Sequence, residues 1–147
     1  MTPDSHQIVR LEFTSAFEML DFVQVVCDHV SRSAGLDEDS LHWVSVAVRE
    51  SVINAITHGN RNDLSKHVIV EFATGSSGYV PELSILVRDE GEGFDPDLLA
   101  DPLAPENMLK SSGRGVFLIR RFMDEVQLCR APDGGMEVRM TKRVRPR

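Results

Sequence analysis

The 147-residue sequence is poor in several residue types: it has two cysteines, one tryptophan and one tyrosine. Cys27 and Cys129 stand far apart, with no CxxC pair and no Cys/His metal spacing. That excludes a disulfide framework and a zinc site, and two buried thiols in a reducing compartment are expected. No run of about 18 apolar residues occurs, so no transmembrane helix is expected. Met1 to Arg10, with Pro3, Asp4, His6 and Gln7, lacks the apolar centre of a secretory signal, and a cytoplasmic location is expected. Gly-Lys-Ser/Thr is absent, which excludes a Walker A loop. There is no internal repeat and no low-complexity tract. What is present is ordinary for a globular chain, with 41% hydrophobic and 27% charged residues. A chain of this length buries roughly 68–70% of its unfolded surface, enough for a core without staples, and a single domain over 1–147 is expected.

The net charge of −7 hides an asymmetry. Residues 1–109 carry 6 Lys/Arg against 19 Asp/Glu, while residues 110–147 carry 10 against 4. The acidic bulk argues against general nucleic-acid binding, and nothing points to a membrane. The basic end reads either as a solvated surface or as a segment meeting an anion.

The hydrophobic pattern predicts the order β-α-α-β-β-loop-α-β-β. His6 to Phe13 reads as a strand, and Thr14 or Ser15 is placed to cap a helix, with Glu18 as the capping-box partner of Ser15. Phe17, Leu20, Val23, Val26, Cys27 and Val30 recur at helical spacing up to Gly35. Asp37 or Asp39 starts a second helix running to about His58, stopped by Gly59 and Asn60. Strands are expected over His67 to Ala73 and Leu83 to Val87, joined at Gly75 to Gly78. Residues 95–112, with Pro96, Pro102 and Pro105, form a long loop of the kind that tends to be functional. A short apolar helix over Gly115 to Met123 precedes strands over Asp124 to Cys129 and Met136 to Thr141. A largely antiparallel sheet with helices on one face follows.

Three segments carry chemistry. In the first, Glu50, Asn54 and His58 fall at i, i+4 and i+8, on one face of a helix whose opposite stripe is Leu41, Val44, Val48, Val52 and Ala55. A carboxylate offers a base, and a neutral amide oxygen suits Mg²⁺ that phosphates already hold. In the second, Asp89, Gly91, Gly93 and Phe94 follow a strand. The glycines permit close ligand approach, and Asp89 can accept a hydrogen bond from an exocyclic amine. No third glycine makes this a Rossmann fingerprint. In the third, Gly113, Arg114, Gly115 and Val116 open the apolar helix, whose free N–H groups suit a phosphate, with Lys110 close by. Each segment alone also fits a plain reading: a solvated helix stripe, an acidic turn, a helix start.

Together and in this order, Glu-x-x-x-Asn-Ala-x-x-His-Gly, Asp-x-Gly-x-Gly-Phe and Gly-x-Gly before a helix resemble the Bergerat-fold (GHKL) ATP-binding superfamily. The stand-alone module, the Asn-Ala-x-x-His-Gly-Asn box, the stretch Ile119 to Val126 and the stretch Glu137 to Lys142 narrow this. The chain resembles the anti-sigma-factor serine-protein kinases of bacterial partner-switching systems from about Ile8 to Lys142.

The resemblance implies a two-layer α+β sandwich with a mixed, mostly antiparallel sheet backed by helices, and an ATP lid at about 95–112. It implies Glu50 as catalytic base on a substrate serine, and Asn54 as the Mg²⁺ ligand. Asp89 would bind the adenine amine. Gly91, Gly93 and Phe94 would flank adenine and ribose, with His58 on the ribose side. Lys110, Gly113, Arg114, Gly115 and Val116 would meet the phosphates. ATP and Mg²⁺ are the implied cofactors. A STAS-domain anti-anti-sigma protein and a sigma factor are the implied partners. Relatives form homodimers, and the sequence shows no decisive dimer patch. The chain departs from the family at Gly135-Met136, where relatives often carry Gly-Thr: Met has no hydroxyl to offer near adenine. A second reading, motivated by Met136, is a non-catalytic sigma-factor-binding module of the same fold. A histidine-kinase catalytic domain is disfavoured, since no helix bearing a phosphoacceptor His is found. His6, His29, His42 and His67 fall outside the motifs and read as surface or locally bonded groups.

Overall fold

The computed structural model describes residues 7–92 and 119–145. Strand β1 (Ile8–Thr14) leads through a 3-10 turn (Phe17–Met19) into helix α1 (Leu20–Ala34), and helix α2 (Glu38–Asn54) follows. Then come β2 (His67–Ser77), β3 (Val80–Arg88), a helical stretch at residues 119–122, β4 (Glu125–Arg130) and β5 (Met136–Arg143). The five strands form one sheet in the order β1-β2-β3-β5-β4, with every neighbouring pair antiparallel. Among the described residues no helix is long and apolar enough to cross a membrane.

The local chemistry behind these elements is specific. Gly35 adopts φ +98 and ends α1; its N–H donates to the Arg32 carbonyl and the Leu36 N–H to that of Ser31, the paired bonds of a Schellman cap. Asp37 caps α2 by accepting the Ser40 N–H at 2.7 Å. The expected capping box before α1 does not form. Ser15 is buried and donates to the Lys66 carbonyl at 2.7 Å, tying the end of β1 to the approach to β2, and no side chain caps the 3-10 turn. The β2–β3 hairpin is longer than its turn residues suggested. Gly75, Ser76 and Ser77 stay in the ladder opposite Glu82, Pro81 and Val80. The reversal falls on Gly78 and Tyr79, with φ +64 at Gly78, the position where a type II′ turn needs glycine.

The core lies between the helix pair and one sheet face. Val23, Cys27, Val44, Val48 and Val52 from α1 and α2 meet Val68, Val70, Phe72, Leu83, Ile85, Val87 and Met140 from the sheet. The period of two along β2 and β3 sends these residues inward and sends Glu71, Ser84 and Arg88 to the other face. The stripe Leu41, Val44, Val48, Val52 and Ala55 is buried as expected. Phe17 is instead half exposed, because the 3-10 turn puts it outside the periodicity of α1. Of the two thiols, Cys27 is buried in the core and Cys129 is only partly covered on β4.

Candidate functional site

The chain end of α2 and the chain end of β3 meet, and the site is built there. Regular α-helix stops at Asn54. Residues Ala55–Gly59 form a single π turn, closed by the Asn60 N–H donating to the Ala55 carbonyl at 2.8 Å. Such turns widen the helix locally and recur at functional sites. Glu50 and Asn54 therefore sit one α-turn apart, both partly buried, while His58 lies beyond the change of pitch and is exposed. Glu50 and Asn54 keep the i, i+4 spacing within α2, and His58 follows inside the π turn.

The π turn delivers Gly59 against Asp89, the residue after β3. Asp89 is 5% exposed. Its Oδ1 accepts two main-chain N–H groups, from Gly91 at 2.9 Å and Met136 at 3.1 Å, while its own N–H donates to the Met136 carbonyl at 3.0 Å. Its Oδ2 faces Gly59, where a Cβ would stand 2.1 Å away. A Cβ on Gly91 would lie 2.0 Å from the Gly59 carbonyl oxygen, and one on Gly135 would lie 2.0 Å from that of Asp89. Three glycines from three loops thus pack around one carboxylate, and none can carry a side chain without moving backbone or the carboxylate itself. Burial pushes the Asp89 carboxyl above its ordinary value, and the Gly91 and Met136 N–H groups partly oppose this. Such a group can hold a hydrogen-bond donor by a strong, charge-assisted bond.

Met136 reaches the site by its main chain. The thioether is buried, but the N–H supports Asp89 whatever the side chain is. The role in doubt for a hydroxyl at this position is therefore separate from holding the carboxylate in place.

Asn60 ends the helix as expected, as the C-cap of the π turn, and it is also fully buried. Its Nδ2 donates to Ser15 Oγ at 2.8 Å and to the His67 carbonyl at 2.9 Å, and its Oδ1 accepts the Glu90 N–H at 2.7 Å. The next two residues, Arg61 and Asn62, both take positive φ and turn the chain back. A polar residue directly after a helix-ending His-Gly, followed by a second Asn, was the available signal. Glu90 is tied a second time, since its carboxylate accepts the His67 N–H. Arg130 donates to the Glu92 carbonyl at 3.0 Å, so the end of β4 touches the same loop.

Gly93, Phe94, Lys110, Gly113, Arg114, Gly115 and Val116, and the lid at 95–112, lie outside the described residues. Just beyond them Phe122 stacks on Trp43 of α2 at 4.1 Å between ring centroids. Among the described residues no cluster of three or more His, Cys, Asp or Glu could hold a metal alone. His67 pairs with Glu12 at 3.3 Å, in keeping with a local role.

Comparison with known proteins agrees with this geometry. Residues 13–142 match the histidine kinase-like ATPase domain. The anti-sigma F factor of Oceanobacillus iheyensis is 34% identical over 140 residues, which cover 92% of each chain. The serine-protein kinase RsbW of Bacillus subtilis is 28% identical over 140 residues, covering 91% of this chain and 84% of that one. Among solved structures, the RsbU and RsbW domains of Rv1364c from Mycobacterium tuberculosis are similar, with a TM-score of 0.65 at 17% identity. That likeness is one of fold; it covers 95% of this chain and 33% of the longer one. A buried carboxylate caged by glycines at the foot of a helix carrying Glu and Asn, on an antiparallel sheet backed by two helices, is thus found in a member of the histidine kinase-like ATPase domain family, and the chain belongs there with the anti-sigma F factors and RsbW serine-protein kinases.

Proposed function

We propose that the protein is an ATP-dependent serine/threonine kinase and anti-sigma factor of a partner-switching system, acting in the cytoplasm on a STAS-domain anti-anti-sigma protein. The observation that carries this reading is Asp89: a buried carboxylate with Oδ1 held by main-chain donors and Oδ2 beside a glycine. That is the chemistry an exocyclic amine of adenine requires, and Gly59, Gly91 and Gly135 let three backbone segments close on this carboxylate. A carboxylate held in this way fits the amine of a purine base. The names of relatives aligned over about nine-tenths of the chain support kinase and anti-sigma roles.

Bound Mg-ATP supplies the transferable phosphoryl group; the chain supplies recognition and a base. Asp89 accepts from the base amine. Asn54 would offer a neutral oxygen to a hard cation that phosphate oxygens already hold. Glu50, one helical turn before Asn54, takes the proton of the substrate hydroxyl at its carboxylate.

The test mixes protein, Mg-ATP and a cognate STAS protein and measures phosphoserine or phosphothreonine. Wild type transfers phosphate, and Glu50→Gln slows transfer by about 10²–10⁴-fold while binding ATP as wild type does. If the wild type binds a sigma factor tightly and never transfers phosphate, the reading that Met136 motivates, a binding module, replaces the kinase.

A further inference from the structure

Asn60 makes three of the four hydrogen bonds its side chain allows, all inside the protein. An amide has two donors and one oxygen; Nδ2 uses both donors on Ser15 Oγ and the His67 carbonyl, and Oδ1 takes the Glu90 N–H. The orientation of the amide is unambiguous: the His67 carbonyl can only accept, the Glu90 N–H can only donate, and Ser15 Oγ already donates to the Lys66 carbonyl. These partners sit at the end of β1, the start of β2 and the loop after β3. The fourth constraint is covalent, because Asn60 follows Gly59, the residue against Asp89 Oδ2. On the other side, Glu90 lies between Asp89 and Gly91, whose N–H holds Asp89 Oδ1. One buried amide thus fixes the backbone on both sides of the Asp89 carboxylate.

We propose that Asn60 is a positioning residue for base selection: it holds the Asp89-Glu90-Gly91 turn against Gly59 and so sets the orientation in which Asp89 meets the amine of adenine. The proposal rests on the reading of Asp89 as the adenine-recognising carboxylate. It assigns to Asn60 no contact with nucleotide. A residue that only stabilised the fold would weaken all nucleotides alike on substitution. A residue that aims Asp89 sets the difference between a base with the exocyclic amine and one without it.

The experiment measures dissociation constants for ATP and inosine triphosphate, whose base carries a carbonyl where adenine has the amine. Wild type prefers ATP by roughly ten- to hundredfold, the scale of one buried hydrogen bond to a charged acceptor. Asn60→Ala reduces that preference to about threefold or less, by loss of ATP affinity, on the same principle. Because Asn60→Ala strips Ser15 Oγ, the His67 carbonyl and the Glu90 N–H of this partner at once, a second variant avoids the core: Glu90→Pro removes the N–H and carboxylate of an exposed residue, with proline's restraint falling on positions 90 and 89, and Glu90→Ala, which keeps the N–H, is its control. Glu90→Pro loses the preference and Glu90→Ala keeps it. A wild type without ATP preference overturns the reading of Asp89 and this proposal together. A wild type with the preference, retained in both Asn60→Ala and Glu90→Pro, overturns the role of Asn60 alone; if Asn60→Ala does not fold, Glu90→Pro decides.

Discussion

At the scale of single residues, Asp89 makes the sharpest prediction. Its carboxyl is raised by burial, so the folded protein binds that proton more tightly than the unfolded chain does. Stability is therefore greater with Asp89 protonated, and falls as pH rises from the ordinary carboxylate value through the raised one, staying flat above it. Asp89→Asn keeps an oxygen for the Gly91 and Met136 N–H groups and removes the charge. The variant should be more stable than wild type above that window in denaturant titrations without ligand, with the gap closing as pH falls. It should also lose ATP binding, since an amide nitrogen at the Oδ2 position donates where an acceptor is needed. A variant no more stable at neutral pH would mean that the ionised carboxylate costs nothing in place. Asp89 was readable from sequence, because a carboxylate at a strand end followed by spaced glycines is a local pattern. Asn60 was not, because its partners Ser15, His67 and Glu90 come together only through the sheet.

At the scale of elements, helix ends and strand order were legible and the irregular joints were not. Gly35 and Asp37 announced the α1–α2 joint, since a left-handed glycine and an N-cap are local devices. The π turn at Ala55–Gly59 was hidden, because one extra residue per turn leaves buried Ala55 and Ile56 in a pattern that an ordinary helix also satisfies. The capping box failed for another reason: Ser15 found a partner 51 positions away. Two glycine substitutions separate backbone conformation from close packing. Gly78→Ala meets open space at φ +64, so it costs about 1–2 kcal/mol of left-handed strain and leaves nucleotide binding unchanged. Gly59→Ala places a methyl 2.1 Å from Asp89 Oδ2. It should cost about 1–3 kcal/mol as an overpacked position and abolish ATP binding, with far-UV circular dichroism retained. Equal effects of the two on binding would remove Gly59 from the site.

At the scale of the whole molecule, the charge split resolves partly into the sheet's outer face. There Glu137, 2% exposed, lies between Arg88 and Arg139, and Arg143 pairs with Glu125. Arg139 and Arg143 of the basic C-terminal segment thus pair within the sheet's outer face while staying in contact with solvent, in line with the solvated surface expected from sequence. The opposite face holds the core, and the two thiols report on its opening from different depths. Cys27 packs between α1 and the rest of the core, and burial pushes its thiol up to about 12, so almost none of it is the reactive thiolate near neutral pH. Cys129, partly covered on β4, needs only local exposure. A disulfide reagent at pH 8 should therefore label one thiol readily in the native protein and the second only when the core opens. Nucleotide that binds the folded chain and not the unfolded one lowers the open population by the factor 1 + [L]/Kd. At a hundred times Kd that is about a hundredfold, or about 2.7 kcal/mol. Cys27 labelling should then slow by about that factor under ATP or ADP when reclosing outpaces labelling, whereas Cys129 labelling changes little. The measurement reads nucleotide binding without requiring phosphotransfer, so it separates a chain that binds ATP from one that has lost it. Unslowed Cys27 labelling at saturating nucleotide would count against the nucleotide site as a whole, whatever the activity of Glu50.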